Sequence, residues 1–564
     1  MDSPKDFFNS GGEGTLLSDI EFDKVDIEIA CSELNSTSAA GADGVPAGLL
    51  KTCRKELSKP LHVIWRATLD HGFIPQDLLL VLISPVHKGG SRGTAKNYRP
   101  VALTSHLIKV FERVIRKVLV SHLEQHGHLP DSQHGFRSFR STLTQLLSYW
   151  DSILNDMELG KGVDVIYTDF SKAFDTVETG VLLHGLKECG VTGKLGCWLA
   201  SFLDPDKRLQ AVVVDGRVSP KEHVLSGVPQ GTVLGPVLFL IHIRNISKDL
   251  SAGTTASSFA DDTRVQRGVS LQEDCSSLQS DLNLIYSWAE EVNMKFNSDK
   301  FECLRYFTNQ EAAPAFQYLA PDGQPIQVKS NLRDLGVQLS SDLSFTIHIE
   351  NVITAATKLV GWGLRTFLSR SRSVMLTLLK SLIQPKLDYC SQLWSPSDQK
   401  SINKLEAVQH HLVERIRDKR LIGLNYWEKL QELHLYSQER RRERYMIIFL
   451  WKISQGKVSG YDVQFTSGGL RRGRLIIPNP VNRGAPSVVK NARERSLAVR
   501  GAQIFNLLPE SIRQINTGHV DYFKNHLDVF LASIPDQPTM TGLGRAADTN
   551  SLIHQLPLFY NQTR

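Results

Sequence analysis

Two acidic motifs at the ends of apolar runs are the residues best suited to chemistry. Asp169 ends the run at 164–170, and Asp261 and Asp262 lie at the turn of a strand–turn–strand pattern at 256–266. Because an unpaired carboxylate is costly in a buried strand, we interpret these acids as converging on cations. Mg²⁺ commonly takes one or two carboxylates together with substrate phosphate. The pair of motifs predicts a two-metal site for in-line phosphoryl transfer, whereas either motif alone is more often structural, as a turn with solvated acids, than catalytic.

The elements that must position these acids are predicted from hydrophobic periodicity and turn residues. Strands or strand pairs are predicted at 77–87, 164–170, 207–219 and 256–266, and helices at 104–125, 141–157, 232–243 and 272–293. Helical patterns dominate from about residue 340 to 455, and a last helical pair covers roughly 495–532. The mixture predicts an α+β fold whose C-terminal part is helical.

The composition is that of a globular protein, with 564 residues, 41% hydrophobic and 22% charged. The formal net charge of +6 is compatible with a polyanionic partner without requiring one. Seven widely spaced cysteines form neither a CxxC pair nor a dense framework, so we expect a reduced, intracellular compartment and leave nucleus and cytoplasm open. The chain has no apolar signal core at its start and no run of about 18 apolar residues, so no membrane span is expected.

Basic clusters recur in the helical part of the chain. They comprise Arg415, Arg417, Lys419 and Arg420, then Arg440, Arg441, Arg442 and Arg444, and then Arg471, Arg472 and Arg474. Such clusters are able to follow a nucleic-acid backbone, but charge runs on helices are more often solvated faces. Both interpretations stay open at this point.

Nine motifs in one order resemble the reverse transcriptases of jockey-like, non-long-terminal-repeat retrotransposons. They lie at 40–51, 84–90, 97–105, 133–142, 167–177, 226–240, 259–262, 293–304 and 332–339. The likeness extends from about residue 35 to 535. It implies a right-hand polymerase with fingers, a ferredoxin-like palm, a helical thumb and a helical basic C-terminal extension. One departure is Arg244-Asn245-Ile246, where relatives often have Asn-Asp.

The resemblance also implies domain boundaries. We expect a leader or linker at 1–34, an N-terminal extension of the fingers at 35–66, fingers and palm at 67–339, a thumb at 340–455, a C-terminal extension at 456–535 and a disordered tail at 536–564. Only about 35 residues precede the first motif, too few for the endonuclease that accompanies such polymerases, so a separate endonuclease in trans is an open expectation.

The catalytic roles follow from the same motifs. Asp169 and Asp261 match metal ligands, Asp262 matches the adjacent supporting acid, and Phe170 matches the residue whose backbone carbonyl completes a metal shell. The resemblance implies two Mg²⁺ ions, with Mn²⁺ as a possible substitute. Lys300 matches a lysine that acts as general acid toward pyrophosphate.

Five residues match positions that contact the incoming nucleotide. Lys88 and Arg99 are expected to hold the triphosphate, since both make charge-assisted contacts with phosphate. Phe174 matches the bulky residue under the sugar, which excludes a 2′-hydroxyl, although an ordinary core aromatic would show the same spacing. Gln230 is expected near the nucleotide and template, and Gly231 is expected to let the backbone approach the substrate.

A fingers segment is expected to contact the template. It contains Gln133, Gly135, Phe136, Arg137 and Arg140, with the two arginines predicted to touch the template backbone.

These residues together predict an RNA-directed DNA polymerase that extends a DNA primer on an RNA template with deoxynucleoside triphosphates. The first alternative is a decayed or co-opted fragment that binds RNA without polymerising. The second is another enzyme of this fold, either an RNA-templated RNA polymerase, which Phe174 disfavours, or an intron-associated maturase.

Overall fold

The protein is described here by a computed structural model that covers residues 7–8, 16–228, 230–309, 313–466, 473–477, 484–538 and 550–562. Its strands are β1 (Leu80–His87), β2 (Tyr98–Leu103), β3 (Gly162–Thr168), β4 (Leu209–Val214), β5 (Arg217–Val218), β6 (Glu222–His223), β7 (Thr254–Phe259), β8 (Asp262–Val269), β9 (Glu302–Tyr306), β10 (Gln327–Lys329), β11 (Asn331–Asp334) and β12 (Val337–Ser340).

The helices of the first half are α1 (Lys24–Ser32), α2 (Ala47–Thr52), α3 (Arg54–His71), α4 (His106–Gln125), α5 (Thr142–Glu158), α6 (Ala173–Thr176), α7 (Thr179–Glu188), α8 (Gly193–Leu203), α9 (Gly235–Ile243) and α10 (Gln272–Glu291). The second half contains α11 (Thr346–Thr366), α12 (Arg372–Leu378), α13 (Gln384–Asp388), α14 (Ser391–Trp394), α15 (Gln399–Val413), α16 (Tyr426–Glu432), α17 (Gln438–Ser454), α18 (Ser487–Arg495), α19 (Ala502–Leu507), α20 (Glu510–Arg513), α21 (Val520–Ala532) and α22 (Leu552–Gln562). The α+β content predicted from sequence is confirmed.

Two larger sheets and one hairpin carry the strands. The central sheet has the order β10-β9-β3-β8-β7, in which β3 pairs antiparallel with both β8 and β9. A second sheet has the order β2-β1-β4-β5, with β6 also pairing with β4. The strands β11 and β12 form a separate antiparallel hairpin. Since β3 lies in the middle of the central sheet, it fixes the position of whatever follows Thr168.

The central sheet is covered on both faces, which explains the nearly continuous apolar sequence of β3. Alternate side chains of a strand point to opposite faces. Ile166 belongs to one core with α4, α8 and α9, whereas Val163 and Val165 belong to a second core. That second core also contains residues of α5, of the β11–β12 hairpin and of helices α11 to α22. The C-terminal half therefore packs against the central sheet and shares its core.

The segment predicted as a leader or linker contains a helix, and the expected tail needs correction. Within 1–34, α1 is capped by the Asp23 carboxylate, which accepts from the amide of Val25 at 2.7 Å, and Ile27 is fully buried. Within the predicted disordered tail, α22 buries Leu552 and Leu556 in the second core. The prediction of disorder was wrong for this part of the tail because it carries enough apolar surface to pack. Residues 539–549 and the terminal two residues lie outside the described part of the chain.

No helix among the described residues has the length and apolar character needed to cross a membrane.

Candidate active site

The two acidic motifs meet at one end of the central sheet. The register pairs Thr168 of β3 with Thr263 of β8, so Asp169 follows its strand where Asp262 precedes the other. Facing side chains of an antiparallel pair lie about 5 Å apart. Ala260, with a left-handed φ of 59°, turns the chain between β7 and β8 and places Asp261 in the same turn. Asp169 and the adjacent pair Asp261 and Asp262, which are distant from it in sequence, are thereby brought to one site.

Electrostatics confirm that these carboxylates are neighbours. Desolvation by the surrounding protein raises the pKa of Asp261, and the negative charge of Asp169 raises it further. Desolvation, followed by the charges of Asp261 and Asp169, raises the pKa of Asp262 to about 6. A cleft of about 170 Å³ lies beside Asp169 and Asp262 and extends to β11. The cluster has more negative charge than the protein neutralises, which favours a bound cation.

Lys300 supplies one cation at this site. Its Nζ lies 2.7 Å from Oδ2 of Asp169, and its positive charge lowers the pKa of both Asp261 and Asp262. It is carried by a short helical turn, Ser298–Lys300, directly before β9. The structure therefore places Lys300 with the predicted acids, whereas its role as a proton donor stays a prediction.

Phe170 has a backbone arrangement that suits its predicted role. It forms an antiparallel bridge with Phe296, in which the carbonyl of Asp169 accepts from the amide of Asn297 and the amide of Ser171 donates to the carbonyl of Lys295, each at 2.8 Å. In such a pair the central residue directs its own carbonyl away from the partner segment. The ring of Phe170 stacks on that of Phe296, with centroids 4.2 Å apart. Its carbonyl is thereby fixed next to Asp169.

The donor set fits a hard divalent cation only in part. Over the described residues, no group of three His, Cys, Asp or Glu side chains is already arranged to hold a metal ion. Mg²⁺ does not require such a cage, since it keeps water and takes substrate phosphate beside one or two carboxylates. The two neighbouring carboxylates with raised pKa values, Asp261 and Asp262, suit such partial coordination.

Phe174 lies between the apolar core and the open site. Its half-buried ring stacks on Phe239, with centroids 4.3 Å apart and an interplanar angle of 14°. The rings of Phe174 and Phe136 are nearly perpendicular, and their centroids lie 6.1 Å apart. A side chain at Gly227 would place its Cβ 2.8 Å from the carbonyl oxygen of Phe174. Phe174 is therefore held firmly on its inner side, as a steric gate requires.

The segment around Gln230 is attached to β2. The carbonyl of Gln230 accepts from the amide of Ala102 at 2.9 Å, and its side-chain amide donates to Asp175 at 3.3 Å. Gly231 has a φ of 113°, and a Cβ there would lie 2.7 Å from the carbonyl oxygen of Ala102. Only glycine fits this approach. The preceding Pro229 lies outside the described residues.

Lys88 and Arg99 are exposed on the β1–β2 hairpin. The amide of Lys88 donates to the carbonyl of Asn97 at 2.8 Å, and Arg99 faces Val86 across the strands. The charge of Arg99 lowers the pKa of Asp261, so this hairpin is close enough to act on the acids.

In the segment predicted to contact the template, Gln133 and Gly135 mainly contact other parts of the protein. Oε1 of buried Gln133 accepts from the amides of Gly135 at 2.8 Å and Ala260 at 2.9 Å. Gly135 lies so close to the amide of Ala260 that a side chain would collide with it. This segment therefore braces the turn that carries Asp261.

Arg137 and Arg140 also point inward. Nε of Arg137 donates to Glu124 at 2.9 Å, and a terminal nitrogen donates to the carbonyl of Pro130 at 2.7 Å. Arg140 pairs with Asp131 at 2.6 Å. Contact of either guanidinium with a template stays a prediction, and the observed contacts stabilise the loop.

Glu112 and the pair Arg264–Asp334 were not predicted from sequence. Oε2 of buried Glu112 on α4 accepts from the backbone amides at the start of α9. The sequence feature that could have identified Glu112 is the presence of an acid on the apolar face of a helix. Arg264, two residues after Asp262, pairs with Asp334 of β11, and its guanidinium lies 3.9 Å from the centroid of the Tyr149 ring. No local pattern distinguishes this arginine from a surface cation.

Comparison with known proteins identifies a matching family and several relatives. Residues 86–339 match the family described as reverse transcriptase (RNA-dependent DNA polymerase). The probable RNA-directed DNA polymerase from transposon X-element of Drosophila melanogaster is 27% identical over 390 residues, which cover 68% of this chain and 42% of that protein. The RNA-directed DNA polymerase from mobile element jockey of the same species is 27% identical over 411 residues, which cover 71% of this chain and 44% of that protein.

The chain thus spans less than half the length of these relatives. Among solved structures, apo telomerase from Candida tropicalis, truncated from its C-terminal domain, aligns with a TM-score of 0.34 and 10% identity over 50% of this chain and 59% of that one. Residues 86–339 thus match a reverse transcriptase family, and the chain is similar to the RNA-directed DNA polymerases of the X-element and jockey elements of Drosophila melanogaster.

Proposed function

We propose that this chain is an RNA-directed DNA polymerase that adds deoxynucleotides to a primer 3′-hydroxyl by two-metal catalysis. The observation that carries the proposal is the register of β3 against β8, which brings Asp169 beside Asp261 and Asp262. In-line displacement at an α-phosphate needs positive charge at both the attacking and the leaving oxygen. The reverse transcriptase match over 86–339 supports the same reaction class.

The acids, together with water and substrate phosphate, would hold two Mg²⁺ ions, for which Mn²⁺ is a chemical substitute. Asp169 and Asp261 would hold the ions, Asp262 would add charge, and the carbonyl of Phe170 would complete a shell. When bound, the ions supply Lewis-acid stabilisation of the developing negative charge. The raised pKa values of Asp261 and Asp262 support this assignment: desolvation raises both most, and a divalent cation would offset the additional repulsion from neighbouring carboxylates.

The protein's own groups bind and orient the nucleotide. Lys88 and Arg99, exposed on one hairpin, would grip the triphosphate, and a guanidinium can do so with two parallel hydrogen bonds. Gln230 would face the nucleotide and template, while Gly231 permits the close backbone approach. Lys300 would give a proton to the leaving pyrophosphate from its position 2.7 Å from Asp169.

The overall arrangement would be a right hand. The central sheet would be the palm and the β1–β2 sheet part of the fingers within 67–339, with 35–66 extending the fingers. The helices of 340–455 would form the thumb and 456–535 a C-terminal extension. An RNA–DNA hybrid would be gripped by its A-form shape and backbone.

Primer extension with separate deoxy- and ribonucleotide arms tests this proposal. We expect the chain to extend a DNA primer on an RNA template with Mg²⁺ and deoxynucleotides, and Asp261→Ala to abolish extension. Phe174→Ala should raise ribonucleotide incorporation by about 10-fold or more, since its ring no longer excludes the 2′-hydroxyl. Phe73→Ala, at an exposed phenylalanine away from the acids, is the matched control. RNA binding without extension would favour a catalytically silent fragment.

A further inference from the structure

The loop after Gly135 presents aromatic rings where its sequence predicts basic contacts. The side chains of Arg137 and Arg140 are only 6% and 5% exposed. Phe136 and Phe139, in contrast, are 42% and 63% exposed. Any nucleic acid that passes this loop therefore meets two phenyl rings rather than two guanidinium groups.

The outward position of these rings is enforced by the backbone. Phe136 and Phe139 have φ values of 59° and 63°, in the left-handed region that bulky side chains rarely adopt. Such conformations persist only where surrounding contacts impose them. In this loop Arg137 pairs with Glu124 and Arg140 pairs with Asp131, and the carbonyl of Phe139 accepts from the amide of Ser459 at 2.9 Å. The rings are thus fixed in place while remaining open to solvent.

The loop is also fixed to the catalytic turn. The Gln133 side chain joins it to Ala260, the residue before Asp261. The ring of Phe136 meets that of Phe174 edge to face, with an interplanar angle of 85°. The ring of Phe136 therefore lies against the proposed sugar gate.

We propose that Phe136 and Phe139 stack on unpaired bases of the template strand, with Arg137 and Arg140 as positioning residues that hold the loop. This inference rests on the proposed polymerase function. Aromatic faces bind single-stranded bases with little sequence preference, because every base has a π-face. A phenyl ring has no such access to a base inside a paired and stacked duplex, so the partner is single-stranded nucleic acid.

Equilibrium binding of a primer–template with a single-stranded RNA overhang tests the proposal without requiring catalysis. Full-length protein would be titrated against a fluorescent duplex, with and without the overhang, at fixed salt. We expect Phe136→Ala and Phe139→Ala each to weaken binding of the overhang substrate by about 5- to 100-fold. Phe139→Trp should retain binding, and Tyr522→Ala, at an exposed aromatic on α21, is the matched control.

Abasic nucleotides in the overhang separate stacking from other causes. If a ring stacks on a base, the losses of binding free energy caused by removing the base and by removing the ring are not additive. The Ala variants and the wild type should therefore bind the abasic substrate with almost equal affinity. Wild-type affinity of both Ala variants for the normal overhang, or an additive loss on the abasic substrate, would overturn the stacking assignment. Wild-type protein that binds with this pattern and fails to extend primers would overturn the polymerase proposal instead.

Discussion

Replacing Glu112 tests how the segment that carries Gln230 is held. The Glu112 side chain is 0% exposed, and its Oε2 accepts from the amides of Val233 at 2.7 Å and Leu234 at 2.9 Å. Glu112→Ala leaves both amides without their acceptor in a buried site, at about 1–3 kcal/mol each. We therefore expect the free energy of unfolding to fall by about 2–6 kcal/mol, a large share of the ~5–15 kcal/mol typical of folded proteins.

The pKa of Glu112 determines what Glu112→Gln should do. Burial raises this pKa, and the amide hydrogen bonds lower it by less. A carboxyl whose pKa is higher in the folded than in the unfolded state stabilises the fold at low pH, and that contribution is lost as pH rises through the folded pKa. Glutamine resembles the protonated acid and keeps an acceptor oxygen. Glu112→Gln should therefore cost about 1 kcal/mol or less and flatten the pH dependence of stability.

Urea unfolding followed by tryptophan fluorescence measures both effects. Lys117→Ala, at a side chain 75% exposed on the same helix, should change stability by no more than about 0.5 kcal/mol. A Glu112→Ala protein as stable as the Lys117→Ala control would refute the capping role. Equal losses for Glu112→Ala and Glu112→Gln would refute the argument from the protonated carboxyl.

Three further predictions concern the site itself. The pKa of Asp262 is raised to about 6, so this carboxyl stabilises the metal-free fold below that pH and ceases to do so above it. Metal-dependent extension should rise through pH 6, and Asp262→Asn should remove that step from the pH–rate profile. Persistence of the step in Asp262→Asn would contradict the assignment. Asp334→Asn should lower the free energy of unfolding by about 3–5 kcal/mol, measured by thermal unfolding, because it leaves Arg264 charged and buried. A variant as stable as the wild type would disprove the pairing. Gly231→Ala should raise the KM for nucleotide, since its Cβ would lie 2.7 Å from the carbonyl oxygen of Ala102, and an unchanged KM would show that the loop adapts freely.

The elements nearest the acids were predictable because their signals are local. The apolar run at 164–170 corresponds to β3 at Gly162–Thr168, and the predicted helix at 104–125 corresponds to α4 at His106–Gln125. Alternation and helical periodicity report which face of a segment is buried, and that is sufficient to place Asp169 and Asp262 at strand ends. The strand register that brings them together was not predicted, since no periodicity reports which strands pair.

Long-range polar partners were not predictable. Glu112 reaches amides 121 and 122 residues away, and nothing near it in the sequence identifies them. The basic cluster on α17 was interpreted as either a nucleic-acid track or a solvated face, yet Arg440 and Arg442 are 0% and 1% exposed. They are buried on a helix that also carries the buried acids Glu439 and Glu443. A run of charged residues is visible in the sequence, but tertiary packing determines whether the side chains face solvent or the protein interior.

The direction of the side chains in the loop at residues 136–140 also could not be predicted from the sequence. The resemblance implies that Arg137 and Arg140 touch the template backbone, whereas the structure leaves their side chains 6% and 5% exposed and exposes Phe136 and Phe139, both of which have left-handed φ values. Left-handed conformations of non-glycine residues depend on surrounding contacts rather than on residue type.

Metal binding at the acid cluster tests the central claim most directly. Mn²⁺ would be titrated into the protein bound to a dideoxy-terminated primer, an RNA template and a matching deoxynucleotide, and bound metal would be followed by electron paramagnetic resonance. We predict two bound ions for the wild type and for an Asp322→Asn control at an exposed turn, with loss of at least one ion in both Asp169→Asn and Asp261→Asn. Wild-type metal stoichiometry in Asp169→Asn and Asp261→Asn would show that these carboxylates do not share cations, and the account of the active site would fail.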